Sequence, residues 1–430
     1  MTEKISNIEA FQILDSRGNP TVQVRLTTSG GVIGESRVPS GASTGTHEAL
    51  ELRDGDATHF QGLGVMKALR NITEEILPAL KGRAVQEQQM IDELMMTLDG
   101  TPNKSRLGAN AILAVSMAVL RAAAAAEKTE LYRYLNPRAT QFTMPLPLFN
   151  VINGGKHADN GLTIQEFKLV PVGAKTFAEA MEFGAEVFQT LKKTLHQRGD
   201  ITAVGDEGGF APRISSDEEA IQLLVQAIED AGYRPGVDIA LGLDVAASEF
   251  FHSGSYVFGL ERKNYSAQEL ISLYENWCTK YPIVSIEDGL AEDDFESWQV
   301  LQQRLGKKCQ IMGDDLIVTN PARLTQTIEM AACNAVLIKP NQIGTISEVF
   351  EVVRIAKKAD FGTVISHRSG ETEDTIIADL AVGLDLRQIK SGSLSRSERL
   401  AKYNRLLLIE SDLKEAAVFQ PPLTGPHGVL

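Results

Sequence analysis

Cysteine is scarce in this chain: three in 430 residues, at Cys278, Cys309 and Cys333, far apart and never as CxxC. That excludes a disulfide framework and a thiolate zinc site, and it fits a reducing compartment. Basic excess is absent too. Lys and Arg number 42 against 56 Asp and Glu, a net charge of −14, so no broad basic face exists for a phosphate backbone. A small anionic substrate stays open wherever local positive charge overcomes that field. The opening "MTEKISNIEAF" has no basic-then-apolar leader pattern. The most apolar run, "AILAVSMAVLRAAAAAEK", is Ala-rich and interrupted by Arg121, which predicts a buried helix and no membrane span. We expect a cytoplasmic protein with neither a membrane nor a direct nucleic-acid partner.

What is present predicts two domains. At 43% hydrophobic and 23% charged, the composition is that of an ordinary globular protein. Its length exceeds one domain and suits an α/β barrel of ~250 residues plus a smaller unit. Residues 1–137 read as that unit, an α+β domain. Strand-like "IEAFQILDS", "TVQVRLTT" and "VIGESRVPS" precede helical "VMKALRNITEEILPALKG" and "QEQQMIDELMMTLDG". From 138 to 430, short apolar runs alternate with amphipathic stretches: "PLPLFNVI", "IQEFKLVPV", "DIALGLDV", "PIVSIEDG", "CQIMGDD", "AVLIKP", "GTVISH" and "RQIKSG". Eight such strands predict a closed (β/α)8-type barrel. The first two are adjacent, with two helices following, so the start is irregular (ββαα). A doubly wound open sheet is the alternative, but no GxGxxG follows its first strand.

Five of the runs stop on a charge: Asp244, Glu287, Asp314, Lys339 and Lys390, with His367, Arg368 and Ser369 at the same relative place in "VISHRS". In a barrel these strand ends share one face, and that face holds the active site. Singly, a carboxylate after a strand is commonly a helix cap, and a lysine reaches solvent. Together, three carboxylates without histidine or thiol suit a hard cation such as Mg2+, and the three cationic residues suit an anion. A structural ion-pair network is the competing explanation. Two glycine-rich loops belong to the same face. "VGDEGGFAP" carries Asp206 and Glu207, and "NGGKHADNG" carries His157 shortly before Gln165 and Glu166. "VPSGASTGTHEA" lacks the lysine of a P-loop and reads either as a mobile hairpin loop or as a lid whose hydroxyls, Ser43 above all, reach a metal or substrate on closure.

"PSGASTG", "GDEGGFAP", "IEDGLAEDD", "GDDLIVTNP", "LIKPNQIGT" and "SHRSGETEDTIIADLAVG" are similar to the motifs of the enolase family, in that family's order, from "ILDSRGNPT" to "SERLAKYNRLLLIE". The resemblance implies a Mg2+-dependent, reversible dehydration of 2-phosphoglycerate to phosphoenolpyruvate. It implies two metal sites, one held by Asp244, Glu287 and Asp314 and one completed by Ser43 and the substrate phosphate. Lys339 corresponds to the general base, and Glu207 to the acid for the departing hydroxyl. Glu166, His157 and His367 lie around that leaving group, with Gln165 among the substrate-binding residues. Lys390 meets the substrate carboxylate, and Arg368 and Ser369 the phosphate. Family members are homodimers or octamers, and some have a cell-surface or secreted pool besides the cytoplasmic one. Lys156, Lys168 and Phe295 depart from the family's pattern.

The implied chemistry explains the metal. Removing a proton beside a carboxylate creates a second negative charge on one small group. Hydrogen bonds to charged groups contribute only ~1.5–3 kcal/mol each. At an effective dielectric of ~20, unit charges about 4 Å apart interact by about 4 kcal/mol, and each divalent ion offers roughly twice that. A lysine base needs its pKa lowered, which Mg2+, Lys390 and burial would all do. Pro340 confines Lys339 to extended backbone. Asp206 is expected to raise the pKa of Glu207. Two alternatives remain: a superfamily relative that enolises another carboxylate, and a non-catalytic binding protein on the same fold.

Overall fold

Alternation of buried and exposed side chains folds the start of the chain into an antiparallel meander, Ile5–Leu14, Pro20–Thr28 and Ile33–Arg37. The computed structural model describes residues 2–41 and 45–421. The meander's inner face packs on the helix Ala109–Ala126, the Ala-rich run of the sequence. Small residues let helix and strand approach closely. A Cβ on Gly34 would lie 2.1 Å from the carbonyl of Ala118, so only glycine fits there. The helix is long and apolar enough to cross a membrane, yet 83% of it is buried inside the protein.

All eight barrel strands read from the sequence form one closed barrel. They are Leu146–Asn153, Glu166–Val170, Ala240–Asp244, Ile283–Glu287, Gln310–Gly313, Ala335–Ile338, Gly362–Ser366 and Gln388–Lys390. The second runs antiparallel to both its neighbours. The cause is its connection. Residues 154–165 hold only a short 3-10 turn, and without a helical crossover a following strand must reverse direction. Two helices, Phe177–Arg198 and Asp217–Asp230, then lead to the third strand. Reversal matters for the site: the first residue of the second strand, Glu166, lies opposite Asp244, the last residue of the third. Below this rim Leu148, Val170, Ala240, Met312, Leu337 and Val364 fill the barrel. Sequence reading missed the small hairpin sheet at residues 251–265 and the parallel pairing of Ala417–Phe419 with Phe142–Met144, both built from strands of two to four residues.

The two units are joined by ions. Arg121 forms a bidentate pair with Asp374, 2.6 Å at each oxygen, and Asp374 also accepts from the amide of Arg37. Burial pushes the Asp374 carboxyl up, but Arg121 and the amides of Ile376 and Arg37 outweigh it and hold it below its usual value of 3.8. A depressed carboxyl stabilises the fold above its unfolded pKa and loses that contribution as pH falls through its folded value. Asp374→Asn is expected to cost about 3 kcal/mol, the low end for breaking a buried pair because Arg121 keeps some water contact. Urea unfolding near neutral pH should show this, and the difference from wild type should shrink in acid. A neutral effect would mean the pair does not hold the units together.

Candidate active site

At the C-terminal rim a narrow cleft is lined by His157, Gln165, Glu166, Glu207, Asp244, Asp288, Asp314, Asp315, Lys339, His367, Arg368, Ser369 and Lys390, and Ala246 is its one apolar lining residue. Glu287 lies just beneath, fully buried. Every described candidate read from the sequence is therefore gathered at one end of the barrel. Ser43 lies outside the described residues.

Lys390 organises the floor. Its Nζ lies 2.6 Å from Glu287 Oε1, 3.0 Å from Asp244 Oδ2 and 3.1 Å from Glu166 Oε2. Those three carboxylates have oxygens within 4.8 Å of one another, close enough to hold one metal ion. Asp314 does not join that group; it clusters instead with Asp288 and Asp315, and its own partners are Lys339 Nζ and Gln342 Nε2, the latter at 2.8 Å. The trio Asp244, Glu287 and Asp314 is thus divided between two neighbouring acidic groups in this arrangement. The donor set still fits a hard divalent cation. Its atoms are carboxylate oxygens, three of which already surround an ammonium, and the buried Gln165 Oε1 nearby has no hydrogen-bond partner among the described residues.

Lys339 leaves its strand with φ −123° and ψ 105°, the extended backbone expected before Pro340, and its amide donates to Thr319 Oγ1 at 2.8 Å. Its pKa is raised, opposite to the expectation. Burial lowers it, and so do Arg368 and Lys390, but contact with Asp314 prevails. The lysine is an ammonium paired to a candidate metal ligand.

Glu207 also departs from expectation. Burial pushes its carboxyl up, yet His157, His367 and Arg399 pull it well below the ordinary range. Asp206 meets this region through its backbone, its carbonyl accepting from Arg399 at 3.1 Å and its amide donating to the His157 carbonyl at 3.3 Å. Hydrogen-bond geometry adds to these charges. Arg399 Nη1, which can only donate, meets His367 Nδ1 at 2.6 Å; the proton of the neutral ring is therefore on Nε2, 3.3 Å from Glu207 Oε2. Asn150 Nδ2 donates to the same oxygen at 3.0 Å. Burial pushes His367 down to about 3, so it is this neutral tautomer that faces Glu207. The carboxyl that gains a proton is Glu166, pushed up to about 7 by burial and then by Glu207, against Lys390 and Lys168. His157, on the glycine-rich loop assigned to this face, is buried, 3.7 Å from Glu207 and 3.9 Å from Glu166. The loop carrying Glu207 needs glycine: Gly208 has φ +88° and a Cβ there would lie 2.7 Å from the Ser395 carbonyl.

Arg368 is held by Glu48, at 2.8 and 3.1 Å, and by Asn341 Oδ1 at 3.0 Å. Ser369 follows it on the rim, in a loop clamped by the amino-terminal unit through paired amides between Ser40 and Gly370.

Two family models match this chain. The enolase N-terminal domain covers residues 5–135, and the enolase C-terminal TIM barrel domain covers 141–423. The chain belongs to the enolase family. Within that enolase frame, the sequence reading had passed over Asn150, Asp288, Thr319, Gln342 and Arg399. Asp288 was within reach, standing next to Glu287 in "IEDG"; its side chain accepts from the amides of Asp314 and Asp315 at 2.8 and 2.9 Å and so sets the Asp314 loop. Arg399 gave no signal, because it lies on the helix Ser397–Leu413 and enters the site from the side.

A carboxyl raised by the fold contributes stability below its ordinary pKa of 4.5 and loses it as pH rises through about 7. In chelator-treated protein, infrared spectra should show a neutral carboxyl near pH 6 that disappears by about pH 8. Buried Asp217 is also pushed up to about 7, so the wild-type-minus-Glu166→Gln difference spectrum isolates the Glu166 band, and the variant should lose less stability over the same range. A difference spectrum without that band would place the proton elsewhere.

Proposed function

We propose that this chain is a Mg2+-dependent hydro-lyase that interconverts 2-phosphoglycerate and phosphoenolpyruvate, the reaction of glycolysis and gluconeogenesis. The observation that carries the reading is the composition of one cleft: a strand-end lysine at Lys339, a proton-holding carboxyl cluster at Glu166, His157 and Glu207, a carboxylate floor, and the cationic Arg368 beside Ser369. Enolase-superfamily sites in general pair a Lys or His base with one or two Mg2+. Asp244, Glu287 and Asp314 would hold the first ion, with Ser43 and the substrate phosphate completing the second site. When bound, such ions offset the second negative charge that enolisation places beside the substrate carboxylate.

The side chains supply the rest. Lys339 becomes a base once Asp314 is engaged elsewhere, because the main influence raising its pKa is then withdrawn while burial, Arg368 and Lys390 remain. Lys390, released from Asp244 and Glu287, is left to meet the substrate carboxylate. Glu166 carries a proton near neutrality, and the cluster it forms with His157 and Glu207 can deliver that proton to the leaving hydroxyl. Glu207 is the ionised member, oriented by Asn150 and His367. Arg368 exchanges the Glu48 carboxylate for the phosphate, beside Ser369. Gln165 Oε1, buried in the cleft wall, is left to accept from a substrate hydroxyl. The proposed setting is the cytoplasm, and the proposed assembly a homodimer or octamer.

Absorbance of the enol product should grow on adding 2-phosphoglycerate with Mg2+ and stop with chelator; no product at saturating Mg2+ would overturn the substrate assignment. Lys339→Ala should lose at least ~100-fold in turnover. It should abolish proton exchange at the carbon next to the carboxylate while keeping Mg2+ binding. Normal exchange in that variant would remove Lys339 as the base.

A further inference from the structure

Lys168 is a charged side chain at this end of the barrel that the mechanism does not use. It lies in the second strand, two residues below Glu166, opposite Gly242. Its residue is 1% exposed, and its ammonium bonds Glu287 Oε2 and lies 3.5 Å from Glu166 Oε2. Lysine is almost never this buried unless paired. Its stem runs through an apolar layer where Val170 and Leu148 also lie. A Cβ on Gly242 would be only 3.6 Å from that of Lys168, so nothing intervenes between them.

The position separates Lys168 from the other two lysines. Lys339 and Lys390 line the cleft and can turn into it when a cation takes their carboxylates. Lys168 does not line the cleft and has nowhere else to go. Its charge stays on Glu287 whether or not a metal ion is present. The ligands Asp244, Glu287 and Asp314 are matched by three ammonium groups, Lys168, Lys339 and Lys390. Only one of these is permanent.

The geometry points to Lys168 as a positioning residue that sets the strength of the first metal site. It fixes Glu287 through Oε2, leaves Oε1 for the ion, and holds cation affinity down by keeping one positive charge beside the ligands. This rests on the reading that Asp244, Glu287 and Asp314 bind a divalent cation. Two effects of the charge act in the same direction. A fixed ammonium repels an incoming cation through a poorly screened interior. It also stabilises the ion-free state, whose buried carboxylates would otherwise lack a partner. A neutral residue removes both.

Two variants separate charge from hydrogen bonding. Lys168→Met removes both, and Lys168→Gln keeps a donor for Glu287. Chelator-stripped wild type and variants would be titrated without substrate, with Mg2+ by calorimetry and with Mn2+ by electron paramagnetic resonance. Both variants are expected to bind the first ion more tightly, by roughly tenfold, the opposite sign to the loss that follows removal of an ordinary outer-shell partner. Their melting temperatures should fall in chelator and rise further than wild type on adding Mg2+. Equal or weaker affinity in folded Lys168→Gln, with wild type binding normally, would overturn the inference and leave Lys168 a structural donor. Should Lys168→Met fail to fold, Lys168→Gln carries the test. Absence of ion binding by wild type and variants alike would remove the metal reading itself, and the inference with it.

Discussion

Lys390 and the three carboxylates around it, Glu166, Asp244 and Glu287, are the constraint from which the catalytic end of the barrel follows. Each of these acids is at least nine-tenths buried, and isolated charges there would be prohibitive. They are tolerated because ammonium groups meet them at hydrogen-bonding distance, and breaking such a set by removing one member typically costs several kcal/mol. Strand order supplies the convergence. Because the second strand is reversed, its first residue stands beside the last residues of both its antiparallel neighbours, and four strands deliver charge to one point. Reversal thereby puts into the ring a glutamate that a uniform barrel would have placed at the opposite end.

The amino-terminal unit completes the rim from outside. Ser40 and Gly370 pair through both amides, and the Ser16 amide donates to the carbonyl of Glu371 at 2.7 Å. A side chain at Gly370 would meet Asp15 Oδ2 at 2.4 Å, so this contact requires glycine. The loop carrying Arg368 and Ser369 is thus fixed by residues more than 300 positions earlier in the chain. Glu48, from the segment after the lid motif, then places a carboxylate on Arg368 where the proposed substrate brings a phosphate. An internal acid keeps that guanidinium oriented and paired; the exchange for a dianion favours the ligand by charge alone.

Much of this was legible in the sequence, for a definite reason. Barrel strands buried on both faces read as short apolar runs, so a charge at the end of each run stands out, and Asp244, Glu287, Asp314, Lys339 and Lys390 all declared themselves that way. Glu166 did not, since it begins its strand, and only the family's motif order brought it in. Lys168 was visible merely as a departure, because strand alternation can say which face a lysine occupies but not that it is sealed beneath a carboxylate. The pKa directions were the least legible. They are set by Asp314 on Lys339 and by His157, His367 and Arg399 around Glu207, partners 25 to 192 residues away in sequence.

These directions follow from an internal balance of charge. With Lys339 on Asp314 and Lys390 on Asp244 and Glu287, the site is electrically satisfied before any ligand arrives, which is why so many buried charges can fold together. A divalent cation that takes those oxygens must displace both ammonium groups. They line the cleft, so they have one direction to turn, and there an anion is the partner that restores the balance. In the proposed function, cation and anion binding would be coupled through the same two lysines, and linkage would make that coupling reciprocal. The lysine freed from Asp314 would be the one whose surroundings favour the neutral amine, so the proposed event that prepares the site for its substrate would also make Lys339 a base.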